Sequence, residues 1–323
     1  MFWPVVLFLV GFALLIKGGD WFVDGAVGIA RRFHLPELLI GATVVSIGTT
    51  LPEVMVSSQA AIEGNAGISY GNAIGSVICN TSLIAALTAA IRPGRVDPKT
   101  FRLPTAFFFL AALSYALVAW TAGRFSRWMG VAYLLVFVGY MIFTTLHMKK
   151  HPELSEEENE EEESREGPLW KDLLLLVAGT AAIAVGARLL VDNGTLIAEA
   201  LGVPDSVIGL TMVALGTSLP ELITAITSLA KGHGALSLGN VIGANLFNII
   251  LVSGTAITIS PFAIPAEKTI ASLNSSLVVD LPVMLAVMAI LCLPPLRSGK
   301  MRRWQGIVLL CAYAAFTVYQ FVS

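Results

Sequence analysis

Charge is scarce in this sequence. Asp, Glu, Lys and Arg make up 13% of its 323 residues, against 56% for the hydrophobic residues. The mean hydropathy of +0.79 is far above that of a water-soluble domain of this length, so a soluble fold is excluded. The net charge of −2 at pH 7 gives no indication of a nucleic-acid partner.

Cysteine and histidine are rare as well, with three and four residues. Cys79, Cys292 and Cys311 lie far apart in apolar segments without metal-ligand spacing, so they predict no disulfide framework. The histidines fall near the ends of apolar stretches, which argues against a histidine proton relay. No nucleophile with a neighbouring base is recognisable, so we predict that the protein is not an enzyme and needs no cofactor.

What the sequence has instead is about ten apolar stretches, each long enough to cross a hydrocarbon core of about 30 Å as a helix. The first stretch, residues 2–15, has no preceding basic residue and no small-residue cleavage site, so we expect a transmembrane helix rather than a signal peptide. The fold class is therefore an all-α polytopic membrane protein. The predicted spans are 2–29, 38–62, 69–91, 103–121, 128–147, 171–196, 206–230, 236–258, 279–295 and 304–322.

An internal repeat organises these spans. Residues 41–80 align without a gap onto residues 209–248 at an offset of 168, with fifteen of the forty positions identical. Five spans per half is an odd number, so the second half enters the membrane upside down, as in many secondary transporters. We therefore predict ten transmembrane helices in two inverted five-helix repeats. Their bounds are 1–148, with its alpha repeat at about 38–91, and 171–323, with its alpha repeat at about 206–258.

Loop charge predicts the orientation. Fifteen basic residues lie on one side of the predicted spans and three on the other, which places both termini outside the cell. Residues 149–170 then form a cytoplasmic linker, whose run of glutamates between 156 and 163 predicts disorder. A regulatory calcium site in this linker is disfavoured, because the run has no EF-hand pattern.

Two repeat-related segments, 48–53 (GTTLPE) and 216–221 (GTSLPE), each place a proline and a glutamate within an apolar span. Proline has no N–H group, so the carbonyls of Gly48 and Gly216 lose their helical partner, and we expect the helix to open there. A bound cation can satisfy such carbonyls at the membrane midplane.

Glu53 and Glu221 are the strongest candidate ligands. Thr49 lies four residues before Glu53, so the hydroxyl and the carboxylate share one helix face, and Thr217 repeats this relation to Glu221. Hard oxygen donors of this kind suit Ca²⁺, whereas zinc or copper would call for histidine or cysteine. A carboxylate at mid-span is costly unless it is paired or liganded, so a purely structural role is disfavoured.

The spans that follow carry the segments 71–76 (GNAIGS) and 239–244 (GNVIGA). The glycine spacing predicts close approach of helices. Asn72, Ser76 and Asn80 repeat every four residues and predict a polar stripe that faces a cation. For Asn72 and Asn240, hydrogen bonding between helices explains the sequence equally well.

Three other acids near span ends have simpler interpretations. Asp24 and Asp192 recur at the ends of the first and sixth spans, where interfacial hydrogen bonding is favoured over ion binding. Asp280 precedes Leu281 and Pro282, a pattern that predicts a helix N-cap.

The paired G-T-[ST]-x-P-E and G-N-x-x-G-[SA] segments resemble the two alpha repeats of the sodium/calcium exchanger family, and the resemblance covers both halves. It implies ten helices in an inverted pair with ions bound at the centre, and Glu53 and Glu221 as shared ligands of Ca²⁺ and Na⁺. The other implied site residues are Thr49 and Thr217 through backbone and hydroxyl oxygens, Thr50 and Ser218 at the border of the site, Ser76, Asn80 and Asn248 at the sodium positions, and Ser46 and Ala214 through backbone carbonyls alone.

The sequence therefore predicts a secondary antiporter that exchanges Ca²⁺ for Na⁺ across a lipid bilayer by alternating access, typical of a prokaryotic plasma (inner) membrane. H⁺/Ca²⁺ exchange on the same scaffold is the alternative. Ala244 stands where many family members carry serine and Asn248 where several carry aspartate, so the counter-ion stays open. A channel is disfavoured because no repeated ring of pore-lining residues is present.

Overall fold

The computed structural model describes residues 2–33, 35–150, 168–201, 214–266, 269–270 and 272–322. These residues form ten helices longer than four turns and one short antiparallel hairpin, β1 (Thr269–Ile270) with β2 (Leu273–Asn274). The helices are α1 Phe2–Arg32, α2 Glu37–Ile62, α3 Ala66–Ile91, α4 Pro98–Ala122, α5 Arg127–Lys150, α6 Leu169–Ala200, α7 Ala214–Ala230, α8 Gly234–Ile259, α9 Ser276–Ser298 and α10 Arg303–Val322.

Eight of these helices, all except α7 and α10, are long and apolar enough to cross a membrane. Each predicted span falls on one helix. Two predicted features lie wholly or partly outside the described residues: the acidic run of the linker, within 151–167, and the beginning of the seventh span, within 202–213. The predicted linker, 149–170, overlaps each neighbouring helix by two residues, because α5 continues to Lys150 and α6 begins at Leu169.

Within the described residues, four helices contain a π turn, in which each backbone N–H bonds to the carbonyl five residues earlier instead of four. These turns are Gly41–Val45 in α2, Asn80–Ala85 in α3, Asn248–Val252 in α8 and Ser276–Asp280 in α9. The expected opening at the proline is wrong, because α2 remains helical from Ser46 to Ile62, through Pro52. In α2 the departure from regular α-helix geometry lies further upstream, in the π turn Gly41–Val45.

The predicted N-cap role of Asp280 is also wrong. The π turn extends α9 back to Ser276, so Asp280 has right-handed helical backbone angles and lies inside the helix. Its carboxylate accepts a hydrogen bond from Gln320 Nε2 in α10 at 3.0 Å. A π turn carries no obvious sequence signal, and the Leu-Pro pair therefore suggested a helix start five residues too late.

The two halves of the chain, α1–α5 and α6–α10, interlock. The most extensive helix contacts run between the halves: α1 packs along α6, α8 packs against α2, α4 and α5, and α10 packs against α3. Helix α8 is the centre of the bundle, since every residue from 241 to 250 is buried. The core of the protein is therefore shared by both halves.

Glycines allow α1 and α6 to approach closely. A Cβ atom added at Gly25 would lie 2.5 Å from the backbone nitrogen of Leu176, and one at Gly179 would lie 2.5 Å from that of Phe22. At one end of this seam Arg32 pairs with the largely buried Asp172, with Nη2 and Oδ2 3.3 Å apart. The two helices consequently pack backbone to backbone.

The glycine pairs of the two alpha repeats test the predicted close approach of helices. A Cβ added at Gly239 would clash with the carbonyl of Leu38, and one at Gly243 with Ser46 and Ala42, which confirms the predicted close approach in the second repeat. No described atom lies within 4 Å of a Cβ built at Gly71 or Gly75, but the repeat counterparts of Leu38 and Ala42, at 206 and 210, lie outside the described residues, so close approach in the first repeat stays a prediction.

The α1–α6 seam predicts the effect of one methyl group. We expect Gly25→Ala to lower the free energy of unfolding by about 1–3 kcal/mol, because backbone atoms of α6 occupy the space of the new Cβ. Gly139→Ala on the outward face of α5, where no described atom lies within 4 Å, is the matched control and should be neutral or stabilising. Thermal unfolding of both variants in detergent measures the difference. Equal unfolding midpoints for the two variants would contradict the close packing of α1 on α6.

Candidate ion-binding site

The sequence-predicted site residues lie on four helices, α2, α3, α7 and α8, each of which contacts the other three. Nine of the eleven have side chains that are at most 5% exposed. The exceptions are Thr217, which is partly exposed, and Ala214, the first residue of α7, whose side chain lies outside the described set. The buried nine are Ser46, Thr49, Thr50, Glu53, Ser76, Asn80, Ser218, Glu221 and Asn248.

The two glutamates form the electrostatic centre of this region. Glu53 on α2 and Glu221 on α7 are both fully buried, and the two helices contact each other. Two carboxylates that come within about 5 Å of each other repel by about 3 kcal/mol at an effective dielectric of about 20, in addition to the cost of desolvation. Neither carboxylate has a hydrogen-bond partner among the described residues.

Four other site residues share this lack of partners. Thr50, Ser218, Asn80 and Asn248 are buried, and none of their side-chain polar atoms contacts a hydrogen-bond partner within the part of the chain that the structure describes. With the glutamates they form three pairs at the repeat offset of 168: 50 with 218, 53 with 221 and 80 with 248. Buried polar groups are almost always satisfied, so this concentration in one place indicates a binding site.

The chemistry of these atoms suits a hard cation. Together the six residues carry eight oxygen atoms and two amide nitrogens without partners. Ca²⁺ accepts six to eight oxygen ligands in irregular geometry, and carboxylates supply the charge that compensates its desolvation. No histidine and no cysteine is among the six residues, so the donor set does not favour a transition metal.

Asn240 holds α8 against the motif of α2. Its Oδ1 accepts hydrogen bonds from Thr49 Oγ1 at 3.1 Å and from Ser46 Oγ at 3.3 Å. Ser46 Oγ also contacts the carbonyls of Gly41 at 2.7 Å and Asn240 at 3.0 Å. The proton of the Ser46 hydroxyl is therefore engaged in contacts within the protein.

Asn72 does the same between α3 and α2. Its Nδ2 donates to the backbone carbonyl of Glu53 at 3.1 Å and to Ser57 Oγ at 2.8 Å. Ser69 Oγ adds a bond to the carbonyl of Ser57 at 2.7 Å. Both asparagines of the G-N-x-x-G segments thus form bonds between helices, as one of the two predicted interpretations required. Asn72 fixes the backbone from which the Glu53 side chain projects.

The π turns adjust the directions of the two outer asparagines. Asn80 and Asn248 are each the first residue of a π turn, in α3 and α8. One extra residue in a turn rotates the following side chains by about 100° relative to a regular helix. Ser253 Oγ donates to the carbonyl of Asn248 at 3.0 Å and so stabilises the wider turn in α8. The side chains before and after each turn can consequently face different neighbours.

Sequence analysis missed several buried polar residues near the site. Thr224 and Ser228 follow Glu221 on one face of α7, at i+3 and i+7, and their hydroxyls have no partner among the described residues. The helical spacing was the available signal, but the repeat masked it because their counterparts, Val56 and Ala60, are apolar. Asn245 was missed for the same reason, since its counterpart is a valine; its Nδ2 donates to Thr81 Oγ1 at 2.8 Å.

The two acids assigned to interfacial hydrogen bonds have basic partners. Lys231 Nζ lies 3.0 Å from Asp24 Oδ1, and Arg188 Nε lies 3.5 Å from Asp192 Oδ2 on an exposed face of α6. Neither acid lies in the buried cluster of α2, α3, α7 and α8. These contacts agree with the predicted structural role.

The chain is similar in sequence and in fold to known membrane proteins. The sequence model of a family described as sodium/calcium exchanger protein matches residues 3–146 and 171–322. The chain is 38% identical to an uncharacterized membrane protein of Methanocaldococcus jannaschii, covering 95% of this chain and 94% of that protein. It is 32% identical to the sodium/calcium exchanger MaX1 of Methanosarcina acetivorans, covering 98% of each. A solved structure of the sodium-calcium exchanger NCX_Mj, soaked with zero Na⁺ and Ca²⁺, superposes with a TM-score of 0.81 at 34% identity over 98% of both chains.

Two buried asparagines should respond oppositely to the same substitution. Asn80→Leu should raise the free energy of unfolding in the absence of added ions by about 1–2 kcal/mol, because it removes a buried polar group that lacks a protein partner. Asn240→Leu should lower it by about 1–3 kcal/mol, because Thr49 loses its acceptor. Thermal unfolding in ion-depleted detergent solution provides the measurement. Destabilisation by both variants would show that Asn80 has a structural role instead.

Proposed function

The chain belongs to the sodium/calcium exchanger family, and on this premise we propose that it exchanges Ca²⁺ for Na⁺ across the membrane by alternating access. The observation that carries the proposal is the set of three repeat-related pairs of buried polar residues without protein partners, with Glu53 and Glu221 at its centre. The protein is an integral multi-pass membrane protein, and it needs no covalent chemistry for this activity.

The two carboxylates provide the coupling. A buried site with two negative charges and no compensating protein cation is unstable when empty, because repulsion and desolvation act together. A carrier that changes between inward and outward states only when these charges are neutralised cannot return without cargo. One Ca²⁺ ion, Na⁺ ions, or protons on the carboxylates could each neutralise the site, and exchange follows from that requirement.

The site residues have distinct roles in this proposal. Glu53 and Glu221 bind both Ca²⁺ and Na⁺, and Thr49 and Thr217 add backbone and hydroxyl oxygens. The engagement of the Ser46 hydroxyl with Gly41 and Asn240 supports a contribution through its backbone carbonyl alone. The remaining proposed ligands are Thr50 and Ser218 at the border of the site, Ser76, Asn80 and Asn248 at the sodium positions, and Ala214 through its carbonyl.

H⁺/Ca²⁺ exchange is the second candidate function, and one observation favours it. Residue 244 is an alanine, so a hydroxyl ligand that many family members offer to Na⁺ is missing. Protons on the glutamates could then replace Na⁺. Calcium uptake into proteoliposomes under imposed Na⁺ or H⁺ gradients distinguishes the two candidates. Uptake that needs no counter-ion gradient of either kind would overturn exchange altogether.

We also propose the topology that follows from the repeat. Ten spans form two inverted five-helix repeats, 1–148 and 171–323, with both termini outside and the linker 149–170 in the cytoplasm of a prokaryote. The distribution of basic residues supports this orientation. Protease added to sealed right-side-out vesicles should leave the linker intact. Cleavage within residues 151–167 from outside would reverse the orientation.

The glutamates give the most direct test of the site. Glu53→Gln and Glu221→Gln should each reduce calcium transport by more than about tenfold, because the amide keeps the shape of the side chain but loses its charge and bidentate coordination. Glu63→Gln is the matched control, since Glu63 is exposed and its carboxylate bonds to Gln59 on the surface. The measurement is ⁴⁵Ca²⁺ flux in proteoliposomes, with folding checked by size-exclusion profile. Wild-type flux in either central variant would remove that glutamate from the site.

Ala244 gives a selective test of the sodium position. Ala244→Ser restores a hydroxyl opposite Ser76, so we expect stronger sodium dependence of calcium efflux and little change in calcium affinity. Ser76→Ala should have the opposite effect on sodium. Calcium efflux is measured against external sodium at constant pH for the three proteins. An unchanged sodium half-saturation in the serine variant would mean that residue 244 lies away from the ion path or that protons are the counter-ion.

A further inference from the structure

A cavity of about 290 Å³ lies at the end of the helix bundle where α3 and α7 end, and neither Glu53 nor Glu221 lines it. It is formed by the ends of α3 and α7, the beginnings of α2, α4 and α8, and the loop between α3 and α4. Three glycines line it, Gly94, Gly232 and Gly234, and no described atom lies within 4 Å of a Cβ built at any of them. The backbone of these loops is therefore open to the cavity.

The charge of the cavity wall is positive. Arg92 and Arg95 both line it, and Asp97 is the only acidic residue in the described lining. The Asp97 carboxylate is already used, because its two oxygens accept hydrogen bonds from the backbone N–H groups of Lys99 at 3.0 Å and Thr100 at 3.2 Å. Two guanidinium groups against one committed carboxylate disfavour a cation and favour an anion.

The N-terminus of α8 adds donors to the same cavity. The residue before Gly234 is His233, whose side chain forms no cap; its Nδ1 instead contacts Glu37 Oε1 at 2.6 Å. The first backbone N–H groups of a helix lack partners within the helix and carry a partial positive charge, so they attract anions. Gly234 and Ala235, the first two residues of α8, both line the cavity.

A buried hydroxyl in the wall also lacks a partner. Ser237, in the first turn of α8, lines the cavity, is 2% exposed, and its Oγ bonds to no group among the described residues. Its repeat counterpart, Ser69, uses the equivalent hydroxyl to bond the carbonyl of Ser57. Ser237 thus brings to the cavity wall a buried hydroxyl whose hydrogen-bonding capacity is unused among the described residues.

We infer that this cavity binds a phosphate-bearing anion, held by Arg95, Arg92, the N-terminus of α8 and Ser237. Arg92 is partly engaged, since its Nη1 donates to the carbonyl of Leu229 at 2.9 Å. Arg95 is exposed and forms no side-chain hydrogen bond or ion pair within the described part of the chain, so its guanidinium can bind a phosphate through two N–H groups. Two sources share this chemistry: the headgroup of an anionic phospholipid in the adjacent leaflet, and free phosphate. The site is separate from the glutamates and does not depend on the identity of the exchanged ions.

Thermal stabilisation of the purified protein tests the site without any ion flux. The protein in uncharged detergent is titrated with short-chain phosphatidylglycerol, with the matching phosphatidylcholine, and with inorganic phosphate. The variants are Arg95→Gln and Ser237→Ala, and Arg102→Gln is the control, because Arg102 is an exposed arginine near the same end that does not line the cavity. We expect both cavity variants to raise the half-saturating concentration of the anion by about tenfold, because affinity falls, while the control variant matches the parent protein.

The outcomes separate the two sources and the alternatives. Saturable stabilisation by phosphatidylglycerol alone, reduced in both cavity variants, supports a lipid headgroup site, and stabilisation by inorganic phosphate with the same dependence supports a site for free phosphate. Stabilisation that is equal in all variants would reflect non-specific adsorption and would overturn the inference. Absence of stabilisation by either anion would also overturn it. Ser237→Ala removes a single oxygen atom, so misfolding of the arginine variant would not prevent a decision.

Discussion

The bundle depends on one constraint: two carboxylates lie in its apolar interior and receive no hydrogen bond from any residue that the structure describes. Such groups are expensive to bury, and the surrounding helices must hold them in place without neutralising them. In the structure, neighbouring asparagines form hydrogen bonds to groups of these segments other than the carboxylates, which have no partner among the described residues. Asn72 bonds the carbonyl of Glu53 rather than its side chain, and Asn240 fixes the hydroxyl of Thr49 one turn away. The hydrogen bonds that hold these short segments in place thus leave the two carboxylates without a partner among the described residues.

The contact between α2 and α8 holds the polar residues of these segments in position. Gly239 and Gly243 bring α8 so close to α2 that a single Cβ atom would clash. That approach places Asn240 within reach of Ser46 and Thr49. The π turns before Ser46 and after Phe247 then widen the two helices without ending them. Close contact fixes the positions of the polar residues, and the wider turns set their directions.

Much of this arrangement could be predicted from the sequence. Long apolar stretches located the helices. The repeated proline-glutamate segments identified Glu53 and Glu221, the four-residue spacing indicated Asn80, and the resemblance to the exchanger family added Thr50, Ser218 and Asn248. The features that could not be predicted depend on long-range contacts. The backbone stays helical through Pro52, a π turn lies upstream at Gly41–Val45, and Asp280 lies inside a helix. Thr224 and Ser228 were not predicted, because only the second repeat has polar residues at these positions and a comparison of the two repeats identifies only the residues that both contain.

The interlocked halves have a consequence for biosynthesis. The largest contacts of the first five helices are with the second five, and the glycine seam of α1 faces α6, which is synthesised more than a hundred residues later. While the chain is being made, the first half enters the bilayer with its most closely packing surfaces covered only by lipid. Native packing therefore begins late, when α6 and α8 arrive, and is dominated by distant partners, which slows folding. The same contacts predict that the two halves, made as separate polypeptides in one membrane, can assemble with each other.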